Sequence, residues 1–169
     1  MFIPIGLLGG GVVVGGFFTY VSVHIVNIFL PCHMVLSRFS LLCAKKQDDN
    51  NSAYVHEHPA GALSWNHRKV HELVALNPDN TEVITFDQCY FNLHHPGREG
   101  VFLQKKTKVL SNSAAILHPF RNAKCPGNHC HGRIQGSAFG KPISTWAARY
   151  PSDMVSALAD GVAGHLGQV

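Results

Sequence analysis

Apolar and polar positions divide the chain into an uncharged beginning and a patterned body. Residues 1–30 contain no Asp, Glu, Lys or Arg. By length this stretch suits a single bilayer crossing, which needs about 20 apolar residues. Two other readings stay open. Gly11 to Phe18 and Val21 to Leu30 are β-branched runs bounded by glycines, as in buried strands of a parallel sheet, and the whole stretch also reads as a poorly ordered leader. A cleavable signal peptide fits worse, for want of a basic start and a small-residue cleavage site. If the stretch spans a membrane, Arg38, Lys45 and Lys46 behind it keep the body cytoplasmic, and otherwise the chain is intracellular. Arg38 to Ala44 supports a helical turn or two, and Lys45 to Ser52 is polar. The expected organisation is a hydrophobic segment at 1–30, a linker at 31–52 and a folded body at 53–169.

Within the body the periods change from 2 to 3.6 and back. Ala53 to Glu57 reads as a strand stopped by His58-Pro59. Arg68 to Leu76 places Val70, Leu73 and Val74 on one helical face, and Asn77-Pro78 ends it. Glu82 to Phe86 is a second strand. Lys105 to Ser111 alternates Thr107, Val109 and Ser111 with Lys106, Lys108 and Leu110 as a third, followed by an Asn112-Ser113 cap. A last helix begins at Ser152 and runs to Leu158 or His165. Strand, helix, strand with short connections predicts an α/β fold: an incomplete Rossmann-like parallel sheet with a small metal-binding loop. The expected core is Val55, Leu73, Val83, Ile84, Phe86, Val109, Ile116, Met154 and Leu158.

Composition adjusts this picture slightly. In 169 residues only 14% are charged and the net charge is +4, a mild bias toward anionic partners. The 5 cysteines are odd in number and lack the rhythm of a disulfide framework, which points to a reducing compartment with thiols that are free, buried or metal-bound.

The sharpest chemistry is Cys125-Pro126-Gly127-Asn128-His129-Cys130-His131, four soft donors in one short loop. Thiolate and imidazole are the usual ligands of tetrahedral zinc, and Pro126-Gly127 supplies the turn that lets donors face one ion. In an extended His129-Cys130-His131 alternate side chains share a face, so both histidines converge while Cys130 points away. Cys89, at a strand end, completes the expected zinc set of Cys89, Cys125, His129 and His131, with donor atoms within about 4 Å of one another. His118 and Cys130 are the substitutes for Cys89, and a polar turn facing water is the alternative.

Glu57-His58-Pro59, Trp65, Phe86-Asp87-Gln88-Cys89-Tyr90-Phe91, Lys105-Lys106-Thr107, Ser111-Asn112, the Cys125 loop and Ala147-Ala148-x-Tyr150-Pro151 occur in an order that resembles the C-terminal part of divergent phage and mobile-element proteins related to cytosine-C5 DNA methyltransferases. The resemblance implies that Glu57 matches the carboxylate that hydrogen-bonds a flipped cytosine, and that Cys32 of Pro31-Cys32 matches the thiolate nucleophile. His58 and Asn92 depart from the pattern, and the apolar run Gly6 to Gly16 lacks the acidic residues of an S-adenosylmethionine site. The implied function is a truncated or degenerate, non-catalytic methyltransferase-like domain with a structural zinc. Weak nucleic-acid contact would run through Lys105, Lys106, Lys108, Arg121 and Arg133. The alternative is a membrane-anchored, zinc-binding interaction module.

Overall fold

The computed structural model describes residues 22–23 and 32–167, with side-chain surroundings from residue 39 onward. In chain order the elements are β1 (Ser22–Val23), α1 (Cys32–Asp49), β2 (Tyr54–Pro59), α2 (Arg68–Leu76) and β3 (Glu82–Asp87), then β4 (Val101–Leu103), β5 (Lys106–Ser111), α3 (Ala114–Leu117) and β6 (Cys130–Gly132). They end with β7 (Ser137–Ala138), β8 (Lys141–Pro142), α4 (Ile143–Ala147) and α5 (Ser152–Leu166). The central sheet has the order β1-β2-β5-β3.

The three strands expected in the body are neighbours, but the parallel Rossmann-like sheet is not what they form. β5 lies between β2 and β3 and runs antiparallel to both. The connections explain this. The β2 to β3 link contains α2 and brings the chain back in the same direction, whereas residues 88–105 between β3 and β5 hold no crossover helix, so β5 returns antiparallel. Among the described residues, parallel pairing is confined to β1 with β2 and to β4 with β6.

Both faces of the sheet are covered. On one, Val55, Ile84, Phe86 and Val109 pack with Ile116, Leu117, Phe120 and Met154 from α3, the following turn and α5. On the other, Tyr54 and Leu110 pack with Trp65 and with Leu41, Val70 and Leu73 of α1 and α2. Alternate residues of β2 thus serve opposite layers, the period-2 logic of a strand. Of the expected core, Val83 is 36% exposed: it sits on edge strand β3, facing the α2 side. Leu158 is half-buried against the first cluster.

Residues 31–52 are not a linker. They hold the 18-residue helix α1, whose Leu41 and Ala44 are buried against Tyr54 and Trp65. Asn112 fastens its end, donating to Asp48 Oδ1 at 2.9 Å and to the Ser52 carbonyl at 3.1 Å while accepting from the Tyr54 N–H at 3.1 Å.

The membrane anchor is likewise corrected. Ser22–Val23 pairs as a strand with Tyr54 and Val55, which is incompatible with one continuous spanning helix through residues 1–30. Among the described residues no helix is long and apolar enough to cross a membrane. The single-pass topology and the membrane partner are therefore abandoned. The remainder of the 1–30 segment, including Gly6 to Gly16, lies outside the described residues.

α5 crosses α3 at Gly161 with almost no gap: a β-carbon there would lie 3.0 Å from both Ile116 Cα and the Ile116 carbonyl oxygen. These are backbone atoms and cannot rotate aside. Gly161→Ala is therefore expected to destabilise by about 1–3 kcal/mol despite the better helix propensity of alanine, as urea unfolding would measure.

Candidate metal centre

The chain brings the four expected donors together from two separate regions. Cys89 lies in the 3-10 turn Gln88–Phe91 that follows β3, and this turn leaves its thiol 2% exposed. Cys125 ends the segment that runs beside β3, where the Asp87 N–H donates to the Ala123 carbonyl. Asp87 Oδ2 accepts the Cys125 N–H at 3.0 Å, so the carboxylate fixes the loop at its first donor. Gly127, at a φ of +73°, turns the chain tightly enough for its N–H to donate to Cys125 Sγ at 3.4 Å. β6 then presents His131 in register with Phe102 of β4, and Cys130 with Val101.

Cys125 Sγ is 3.5 Å from both His129 Nε2 and His131 Nε2, and the two nitrogens are 3.0 Å apart. With Cys89 included, all four donor atoms lie within 4.8 Å of one another. Tetrahedral zinc bonds of about 2.3 Å to sulfur and 2.0–2.1 Å to nitrogen require S···N separations of about 3.5 Å. The Cys125 to histidine distances meet that requirement. The cluster as a whole is looser than the separation of about 4 Å expected, and the slack falls on Cys89, the one donor contributed by a different turn. Cys130 is exposed and outside the cluster, as alternation along β6 requires, and His118 is not one of its members either.

Groups around the donors suit a cation. Asp87 is buried, and among the described residues its Oδ1 has no hydrogen-bond partner. Burial pushes the Cys89 thiol up to about 12, helped by the neighbouring Cys125 and the charge of Asp87. Two thiols and a buried carboxylate face one another here, and a divalent ion would relieve that crowding. Phe102 stacks on the His129 ring at 4.1 Å, holding it in place. The donor set and its surroundings are consistent with a structural zinc site. Sequence reasoning missed Asp87 and Phe102, because their roles depend on strand register and loop docking that no local pattern encodes.

Other expected site residues are arranged differently. The sequence puts Glu57 at a strand end, but β2 continues to Pro59, so Glu57 sits within the strand, opposite Val109. The Tyr150 hydroxyl donates to its Oε2, and Oε1 is buried with no partner among the described residues. Burial raises the Glu57 carboxyl above its ordinary range, opposed by the Tyr150 bond and by Lys105. Burial also lowers Lys105, whose ammonium donates to the Ala147 carbonyl at 2.9 Å. Cys32 is the first residue of α1; its side chain is outside the described surroundings. The expected basic contacts are partly engaged: Arg121 pairs with Glu82 at 2.7 Å, and Lys108 lies over the Trp65 ring.

The Glu57 cluster yields a pH-dependent expectation. The folded-state pKa of Glu57 is raised, so its contribution to stability is fully present below the unfolded carboxyl value of about 4.3 and is lost as pH rises through the folded value. The Tyr150 bond offsets that loss by favouring the ionised form. Tyr150→Phe should therefore cost about 1–3 kcal/mol at pH 8 and markedly less at pH 4.5, in paired denaturation curves.

No family model matches the chain, and no curated protein or solved structure matches it. With no homologue to carry them, the labels methyltransferase-like, mobile-element and DNA-binding are set aside, as is S-adenosylmethionine. What is left is a compact mixed α/β domain with a Cys/His cluster suited to zinc.

Proposed function

We propose that this chain is a small interaction domain in which zinc acts as a structural staple, held by Cys89, Cys125, His129 and His131. The observation that carries the reading is the convergence of these donors within 4.8 Å from two regions 36 residues apart in sequence at their nearest points, Cys89 and Cys125. Four protein donors complete a tetrahedron and leave no open position for a substrate, so the ion's part is cross-linking. There is a clear need for a cross-link. Among the described residues the β4–β6 and β7–β8 pairs each have two strands, and such pairs are marginal on their own. Their private core is small, built on Leu93, Leu103, Ile143 and Ala147. A metal joining the turn after β3 to β6 would anchor this subregion to the main sheet.

Metal analysis of the purified protein tests the reading. One equivalent of zinc, removable by chelator, is expected. Cobalt substitution should give the visible absorption and thiolate charge transfer of a tetrahedral site with sulfur ligands. Less than about 0.2 equivalents after incubation with micromolar zinc, well below the affinity of structural sites, would rule it out.

A further inference from the structure

From Gly100 to Ser152 the chain carries eight of its 14 Lys and Arg residues and none of its 10 acids. Within that span, β7 and β8 form a hairpin in which Ala138 pairs with Lys141, leaving Phe139-Gly140 as a two-residue turn. Both turn residues have positive φ, +51° and +70°. This mirror-image turn favours Asn-Gly, and a bulky aromatic at its first position is strained. Phe139 is nevertheless 76% exposed, so burial does not compensate for the strain. Its ring stands edge-on to Trp146 at 6.2 Å. Arg149 and Lys141 lie over the Trp146 ring at 5.3 and 5.8 Å, with the indole N–H donating to the Ala138 carbonyl.

From this arrangement we infer that the β7–β8 hairpin tip is a protein-docking surface, and that it takes an acidic segment bearing large apolar side chains. The inference deepens the interaction-domain reading without depending on the metal. Exposed strain that aids neither the turn nor the core marks a contact residue, and aromatic and arginine side chains are the usual anchors of protein interfaces. Lys141 and Arg149, both exposed, flank the anchor and would pair with carboxylates. A nucleic-acid strand is the less suitable occupant: base stacking needs a free aromatic face, and here the Trp146 ring already carries two cations while Phe139 projects from a convex tip.

The test uses the full chain and calorimetric titration with a synthetic peptide alternating glutamate with leucine and phenylalanine. The same peptide with glutamine for glutamate and a single-stranded thymidine oligonucleotide are the comparisons. Zinc content is measured in every sample, so that loss of metal is not mistaken for loss of docking. The acidic peptide should bind with a Kd of about 10–500 µM, as expected for a small interface, and the glutamine peptide at least tenfold more weakly. Phe139→Asn should raise the melting temperature by about 2–5 °C, because asparagine suits the turn, while weakening the peptide at least tenfold. Lys141→Glu with Arg149→Glu should weaken it similarly. A fall in melting temperature for Phe139→Asn would make Phe139 a structural residue and overturn the inference. So would absence of peptide binding, peptide affinity unchanged by these substitutions, or tighter binding of the oligonucleotide.

Discussion

Chelation of the metal is expected to lower the melting temperature by about 10 °C, with the loss concentrated in residues 88–147. The magnitude follows from linkage: a ligand present at about a thousand times its Kd stabilises the folded state by about 4 kcal/mol, and about 1 kcal/mol corresponds to 2–4 °C for a chain of this size. The location follows from the architecture. The central sheet has helices on both faces and two buried clusters, whereas β4 and β6, among the described residues, form a two-stranded sheet. Hydrogen exchange should therefore show early loss of protection in β4 and β6 and persistent protection in β2, β3 and β5. Cys125→Ser should reproduce the chelated state, since its sulfur is within 3.5 Å of both histidines. Cys130→Ser should leave zinc content and stability unchanged, because that thiol is exposed and outside the cluster. Uniform loss of protection across the central sheet on chelation would show that the metal supports the whole fold instead.

Phe86→Ala is expected to be the most damaging single core truncation, costing about 3–5 kcal/mol. Phe86 is 0% exposed and lies in the middle of an aromatic cluster, with ring centroids 4.9 Å from Phe120 and 5.8 Å from Phe91. Phe91 and Phe120 themselves approach to 5.6 Å. Neither partner can collapse into the space without leaving the other, so a cavity would persist. The effect also reaches the candidate metal centre, because Phe86 is adjacent to Asp87 and the Cys89 turn. Urea unfolding should show the lost stability, and zinc affinity should fall with it. If the variant lost less than about 1 kcal/mol, well under the usual cost of such a cavity, the aromatic cluster would not be the packing centre assigned to it.

Much of the local structure was readable from the residues. Arg68–Leu76 is the helix that its i, i+3, i+4 spacing implies, and β3 and β5 match their alternating runs to within a residue. Ser113 caps α3 by accepting the Ile116 N–H, as the Asn112-Ser113 pair promised. α5 begins at Ser152 as its sequence implies, with Pro151 in the N-cap position. The convergence of His129 and His131, with Cys130 turned outward, was readable because it follows from the period of an extended segment alone.

What the pattern left open was how the pieces associate. Alternation says which side chains share a face of a strand, but not which strand pairs with which, so the antiparallel insertion of β5 between β2 and β3 awaited the tertiary structure. For the same reason α1 reads as part of a linker in sequence: its polar end looks solvent-exposed until Asn112 and the Tyr54 and Trp65 surface are brought beneath it. The grouping of Glu57 with Tyr150, 93 residues away, is likewise a product of packing. Local periods and turn chemistry depend on a few bonds of backbone geometry and are carried by neighbouring residues. Strand order, the closure of the four-donor cluster and the burial of Asp87 depend on contacts between distant segments, and only the folded chain decided those.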